Sequence, residues 1–532
     1  MTDTTIKTRS QIIADDVRAL LRARTPLIWI VTREEQRVER YLVEAAAAAG
    51  YIPRAWDCGQ GVSDAISGKQ LTVGTPDPLG MFAYIIERAT AIGQGERVAW
   101  IMRDLPAWIT GPAFVRELRT LRNAVRVLPT AVKDRAQAII IVSTTSDVPP
   151  ELQAHATVIQ WPLPDRGEIT AILDAAIEAL PDELKEGAAP NGRRDAAIDA
   201  AVGLSGEEAA STYAKSLVQL RKIDPAVVTQ EKKNIIAKTR TLEWFDPLPG
   251  GLDAVGGLVP LKGWLQKRKL AFTPAARAYG LPRPNGALFV GISGCGKSYT
   301  AKATATAWGV PLIRLDLGAL KGKYVGQSEG NLREAIGIID ALGPCVVWLD
   351  EVEKSLAGAT QGAADGGVSA DALGAILSWM QERRGEAFIV ATSNDVSALP
   401  PELLRKGRFD EIWFVDTPTA SEIAEIVKAT LKTHGRAELP IDIAKVAKAC
   451  EGFTGAEIAA IVPSAMFEAF ADDGREITTA DLVSAAATVV PLTKTAAEKI
   501  ASLRSWAAGR ARPASAPETE KTVKARGRAI DL

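Results

Sequence analysis

The chain has 532 residues, 47% hydrophobic and 24% charged, a composition that excludes a collagen, a coiled-coil rod and wholesale disorder and predicts several folded domains. Its 63 Lys+Arg and 64 Asp+Glu leave a net charge of −1, so no global positive field draws it to nucleic acid or to an anionic membrane. Four scattered cysteines without a C-x-x-C pair, and two histidines, give disulfide frameworks, zinc cages and serine-histidine hydrolysis nothing to work with and point to a reducing cytoplasm.

In chain order, the N-terminus lacks the apolar core of a signal peptide, and no apolar run is long enough to cross a bilayer. Short apolar runs then alternate with helical patterns, the signature of βαβ units and parallel sheets. The first half predicts strands at 27–32, 98–102, 138–144 and 157–161, and the second at 287–290, 311–315, 345–349, 388–392 and 412–415. Between them come a charged helix pattern at 231–240, the turn Asp246-Pro-Leu-Pro-Gly-Gly251 and then Val255-Gly-Gly-Leu258. From about residue 508 the chain carries six basic and three acidic side chains with few large apolar ones, which predicts a disordered tail.

The halves repeat one another. Ser146-Asp-Val-Pro-Pro-Glu-Leu152 resembles Asn394-Asp-Val and Pro400-Pro-Glu-Leu403, Pro164-Asp-Arg-Gly-Glu-Ile169 resembles Pro418-Thr-Ala-Ser-Glu-Ile423, and Gly203-Leu-Ser-Gly-Glu-Glu208 resembles Gly452-Phe-Thr-Gly-Ala-Glu457. Three matches in the same order imply that each half is an α/β domain followed by a small helical one.

The chemistry lies in the second half. Gly291-Ile-Ser-Gly-Cys-Gly-Lys297-Ser298 follows a strand and opens a helix, fitting G-x-x-x-x-G-K-[ST]. Backbone N–H groups of Ser293, Gly294, Cys295, Gly296 and Tyr299 can close around phosphate oxygens, Lys297 can reach the terminal phosphates, and Ser298 can ligate Mg²⁺. Cys345-Val-Val-Trp-Leu-Asp350-Glu351 adds a carboxylate for the metal, Asp350, and a general base, Glu351. Asn394 ends the next strand, where an amide can orient water, and Arg405 and Arg408 are spaced to stabilise charge on a transferring phosphoryl group. The first half offers Arg33-Glu-Glu-Gln where a phosphate loop belongs and Arg103-Asp104 where the D-E pair belongs, so it cannot carry this chemistry.

From about 245 to 490 these motifs resemble the AAA family of ATPases, and the stretch from Glu353-Lys354 to Leu377-Ser-Trp-Met-Gln-Glu-Arg383 is similar to the AAA proteins encoded in chloroplast and cyanobacterial genomes. The resemblance implies an α/β fold: a P-loop AAA ATPase module, parallel sheet plus helical lid, preceded by a degenerate ATPase-like α/β domain. It divides the chain into a degenerate domain without a Walker A motif (1–165), a helical lid-like domain (166–222), a linker (223–250), the ATPase α/β domain (251–417), a helical lid (418–492) and a C-terminal extension (493–532). By that similarity Val255, Gly256 and Gly257 lie by the adenine, Gly455 and Ala456 face the nucleotide from a lid lacking the sensor 2 arginine, Asn394 is sensor 1, and Arg405 and Arg408 reach a neighbour's ATP. Lys323-Tyr324-Val325-Gly326 resembles a pore loop that grips polypeptide, although an aromatic packed at an interface fits the same residues. The expectation is an ATP- and Mg²⁺-dependent ring of identical subunits, hexameric by resemblance, that remodels or translocates a protein client of unspecified identity, without membrane and without nucleic acid. A nucleotide-dependent assembly scaffold or switch with slow turnover is the alternative.

Overall fold

A computed structural model describes residues 7–516 except 73–76, 91–95, 104, 110–119, 121, 128–132, 134–136, 146–147, 189–192, 240, 321–324, 355–367 and 383–384. The chain divides into two compact units, Met1–Lys232 and Lys233–Leu532.

The first unit holds β1 (Leu27–Val31), β2 (Ile52–Asp57), β3 (Gly61–Asp64), β4 (Gln70–Thr72), β5 (Val98–Met102), β6 (Gln137–Ser143) and β7 (Ala156–Gln160), in the sheet order β4-β3-β2-β5-β6-β1-β7. Leu27, Trp29, Ile139 and Ile141 pack into one apolar layer, and Ile28, Ile30, Ile140 and Val142 into the other. Burial on both faces is why these strands read as unbroken apolar runs. The β2–β4 meander was not legible in the same way, because its strands carry Pro53, Arg54, Ser63, Asp64 and Gln70.

The second unit holds β8 (Leu242–Phe245), β9 (Gly286–Gly291), β10 (Leu312–Leu315), β11 (Cys345–Leu349), β12 (Ala387–Ser393), β13 (Glu411–Val415) and β14 (Arg512–Pro513), ordered β14-β13-β9-β12-β11-β10-β8. Among the described residues of this sheet, only β8 runs antiparallel to its neighbour. Five strands in each unit share one topology: β7-β1-β6-β5-β2 and β13-β9-β12-β11-β10 both place the fifth strand beside the first, then the fourth, third and second. The repeat in sequence is a repeat in fold.

The matched segments occupy matched places. Asp165 with Glu168, and Thr419 with Glu422, form capping boxes on the helices Arg166–Glu178 and Ala420–Thr433. Ser205 with Glu208, and Thr454 with Glu457, do the same for Gly206–Leu220 and Gly455–Ala471. Ile423, Val427, Phe453, Ile458 and Leu482 close a separate apolar core for the helices after β13.

Three expectations meet the described residues here, and one of them needs correction. Within 223–250 the helix is Pro225–Ile236, ending before the charged pattern does, and β8 pairs with β10. The tail read as disordered from about 508 is ordered through 516, because β14 pairs with β13 and Ala514 is fully buried. Composition missed it because two strand residues and one alanine make no pattern. Of the pore-loop candidates, Lys323 and Tyr324 lie outside the described residues, and Val325 and Gly326 open the helix Val325–Ala341.

Candidate nucleotide site

The loop between β9 and the helix Lys297–Trp308 turns because of its glycines. Gly291 lies so close to β13 that a Cβ would run into the Val415 carbonyl oxygen. Gly296 then caps the helix in the left-handed region, φ 91°, and the first turn carries Lys297 and Ser298. Lys297 is 5% exposed, and its Nζ donates to the carbonyls of Gly291 (2.8 Å) and Ile292 (2.7 Å). Burial holds its ammonium down to a pKa of about 8. Cys295 is buried too, and burial pushes its thiol up to about 11, which makes it a loop-filling residue and not a reactive thiolate.

Two neighbouring strands, β11 and β12, bring the acidic and polar residues to this loop. Ser298 Oγ donates to Asp350 Oδ1 at 2.9 Å, and Thr392 Oγ1 donates to the same oxygen at 2.7 Å. Thr392 also accepts the Glu351 backbone N–H (3.0 Å), which fixes Glu351 at φ 47°, a left-handed backbone that a side-chain-bearing residue rarely adopts. Asn394 Nδ2 donates to Glu351 Oε1 (2.9 Å), Lys354 pairs with Glu351 Oε2 (2.6 Å), and the Asn394 backbone N–H donates to buried Glu353 (3.0 Å). The oxygen donors Ser298 and Asp350 suit a hard divalent cation such as Mg²⁺.

These residues line one cleft of about 540 Å³, within the size range of small-molecule sites. Val255, Gly256, Ser293, Gly294, Cys295, Gly296, Lys297, Ser298, Tyr299, Asp350, Glu351, Asn394, Gly455 and Ala456, all read from sequence, lie on its wall. Gly257 and Gly291 do not. Gly257, at φ 70°, donates its N–H to Glu425 (2.7 Å), and a Cβ there would strike the Glu422 side chain. The lid touches the loop directly, since Ala456 N–H donates to the Gly294 carbonyl at 2.8 Å. Arg405 is exposed, and Arg408 donates to the Glu402 carbonyl; neither lines the cleft of its own chain.

Sequence reasoning missed Thr392, Asp416, Glu422 and a far wall made by Ile426, Ala429, Thr430, Thr433 and His434. A three- and four-residue spacing after a capping box was the available signal for that wall.

The equivalent place in the first unit is filled by protein. Glu34, in the loop after β1, pairs with Arg37 (2.7 Å) and accepts the Gly206 N–H, at the start of the helix that corresponds to the lid helix. Arg37 also pairs with Glu168 (2.8 Å) and donates to Ser10 Oγ (2.8 Å) and the Pro162 carbonyl (2.6 Å); Arg37, Glu34 and Glu168 are all less than 10% exposed. Tyr41 donates to Glu168 as well, and burial together with that bond pushes its phenol up to about 12. After β5, where the second unit has Asp350, Arg103 pairs with Glu39 (2.6 Å) and Asp57 (3.3 Å). Asp104 lies outside the described residues, and His155 is exposed on a turn.

The model of the "ATPase family associated with various cellular activities (AAA)" matches residues 287–417, and the AAA+ lid model matches 440–484. The N-terminal and second domains of SpoVK-like AAA ATPases match 13–161 and 167–239. An uncharacterized AAA domain-containing protein, ycf46, of Pyropia yezoensis is 35% identical over 508 residues, covering 94% of this chain and 99% of that protein. The chain belongs to the AAA ATPase family. More distant relatives are the cell division control protein 48 homolog C of Arabidopsis thaliana, 32% identical over 45% of this chain and 30% of that protein, and the peroxisomal ATPase pex6 of Schizosaccharomyces pombe, 28% identical over 57% and 31%. Among the described residues no helix is long and apolar enough to cross a membrane.

Proposed function

We propose that the second unit binds and hydrolyses ATP and that copies of the chain assemble into a ring, hexameric, in which hydrolysis drives remodelling or translocation of a protein client in the cytoplasm. The observation that carries this reading is the continuous array from Ser298 through Asp350 and Thr392 to Glu351 and Asn394 at the mouth of the phosphate loop. Lys297 and the loop N–H groups hold the phosphates, and Glu351, steered by Asn394, takes the proton from the attacking water. Ser298 and Asp350 would hold a Mg²⁺ ion, which would supply charge neutralisation at the phosphates. The Val255–Gly257 loop and the wall ending in His434 take the base. Arg405 and Arg408, which do not line their own cleft, act on the ATP of an adjacent copy, so the active site is completed by assembly. Tyr324, with Lys323, Val325 and Gly326, contacts the client. The first unit, its cleft filled by Glu34 and Arg37, holds no nucleotide and serves ring stability or partner docking.

A second reading, an assembly switch with slow turnover, is favoured by one observation: both carboxylate oxygens of Glu351 are engaged, one by Asn394 and one by Lys354. Solution mass of Glu351→Gln with and without ATP tests the proposal. A shift from 56.6 kDa to about 340 kDa, six copies, with loss of activity in Arg405→Ala or Arg408→Ala restored by mixing with Glu351→Gln subunits, is the expected result. A protein that binds ATP yet stays at monomer mass refutes the ring.

A further inference from the structure

The chain after the lid does not trail away; it returns to the nucleotide cleft. Leu492 N–H donates to Glu457 Oε1 (2.8 Å), the capping residue of the lid helix that sits on the phosphate loop. The helix Ala497–Ala507 buries Ile500, Leu503 and Ala507 in the core of the sheet. Its Arg504 grips Asp416, with Nε at 2.9 Å from Oδ2 and Nη2 at 2.8 Å from Oδ1, and reaches Thr417 Oγ1 at 3.2 Å. β14 then adds to the edge of β13, pairing Arg512 with Trp413 and Pro513 with Phe414, and Ala514 N–H donates to the Phe414 carbonyl (2.9 Å). Finally Ser515 Oγ donates to Glu422 Oε2 at 3.0 Å.

Asp416 and Glu422 both line the cleft, and they bracket the short passage from β13 to the lid. Glu422 is 7% exposed and accepts the Leu258 N–H (2.8 Å) and the Thr419 N–H (3.0 Å), so its carboxylate ties the Val255–Leu258 loop to the first lid helix. A buried carboxylate needs its oxygens satisfied. The first unit meets the same need at the corresponding residue, where Ser10 Oγ from the N-terminal helix donates to Glu168 Oε2 at 3.1 Å. In each half, then, a serine hydroxyl from a terminal segment completes the carboxylate that joins sheet to lid.

We propose that residues 497–516 are a strap that sets the nucleotide cleft, with Arg504 and Ser515 as positioning residues acting through Asp416 and Glu422. The inference rests on reading the cleft as an ATP site. Loosening the strap frees Glu422 and the loop at Val255–Leu258, so it weakens nucleotide binding while leaving Glu351, Asn394 and the metal residues in place.

The test uses the full chain, a fluorescent ATP analogue and steady-state ATPase assays. Ser515→Ala raises Kd and KM about threefold to tenfold with kcat nearly unchanged, Ser515→Thr restores both, and Arg504→Ala behaves as Ser515→Ala. A chain ending at residue 511 loses more affinity than either point variant, whereas one ending at 516 matches the full chain. Should the shorter chain fail to fold, the point variants still decide. Wild-type Kd and KM in both Ser515→Ala and Arg504→Ala overturn the strap while leaving the ATP site standing; a wild-type protein that binds no nucleotide overturns the ATP reading and the strap with it.

Discussion

Replacing Arg37 with alanine should unfold the first unit far more readily while sparing the proposed ATP site of the second. The side chain is 9% exposed and neutralises two carboxylates, Glu34 and Glu168, each 6% exposed. Removing one partner of a buried ion pair strands the others without compensation, at a cost of about 3–5 kcal/mol. Set against a domain stability of about 5–15 kcal/mol, that is a large share. With a urea m-value of about 3 kcal/mol per M, the midpoint falls by about 1–1.7 M. Urea unfolding followed by fluorescence, with saturating ATP to displace the transition of the second unit and so identify the first, reads the shift. Arg166→Ala is the internal control: its partners Asp195 and Asp199 are 78% and 64% exposed, so its loss should cost no more than about 1 kcal/mol. If Arg37→Ala moves the midpoint no further than Arg166→Ala does, the claim that this ion cluster holds the closed cleft together is wrong.

Two further outcomes are expected. Thr392→Val keeps shape but removes both the bond to Asp350 and the acceptor of the Glu351 N–H, so kcat should fall roughly tenfold and half-saturation by Mg²⁺ should rise; an unchanged Mg²⁺ titration refutes the role. Lys297 supplies a pH signature, because its folded pKa lies near 8 while an unfolded lysine titrates near 10.5. Between those values the unfolded chain binds more protons, so the nucleotide-free protein gains stability as pH rises. Phosphate binding requires the ammonium, so ATP affinity should fall by up to about tenfold per pH unit above 8, with proton uptake visible by calorimetry in buffers of different ionisation heat. Flat affinity from pH 7.5 to 9.5 would refute this.

Much of the fold and cleft was legible because local chemistry dictates it. Strands buried on both faces must be continuous apolar runs, as at 98–102 and 345–349, and a phosphate loop must place glycine where β13 leaves no room for a Cβ at Gly291. Capping boxes carry fixed spacing, which is why the repeat survived as Asp165/Glu168 and Thr419/Glu422. The lack of a phosphate-loop motif in the first half was equally visible, since Arg33-Glu-Glu-Gln stands where the glycines and lysine would belong.

What sequence alone could not give depends on partners distant in the chain. Thr392 is one strand threonine among others until the parallel register of β11 and β12 brings it to Asp350 and Glu351. Glu34 lies in the stretch read only as lacking a phosphate loop, and nothing local marks Arg37, until Ser10, Pro162, Glu168 and Gly206 converge on them. Ser515, in a stretch whose composition reads as solvated tail, becomes a partner of Glu422 only because β14 finds the open edge of β13. Residue type and spacing determine which groups can hold phosphate or end a helix; which cleft stays open, and what braces it, is decided by hydrogen bonds between residues far apart in sequence, which no local pattern encodes.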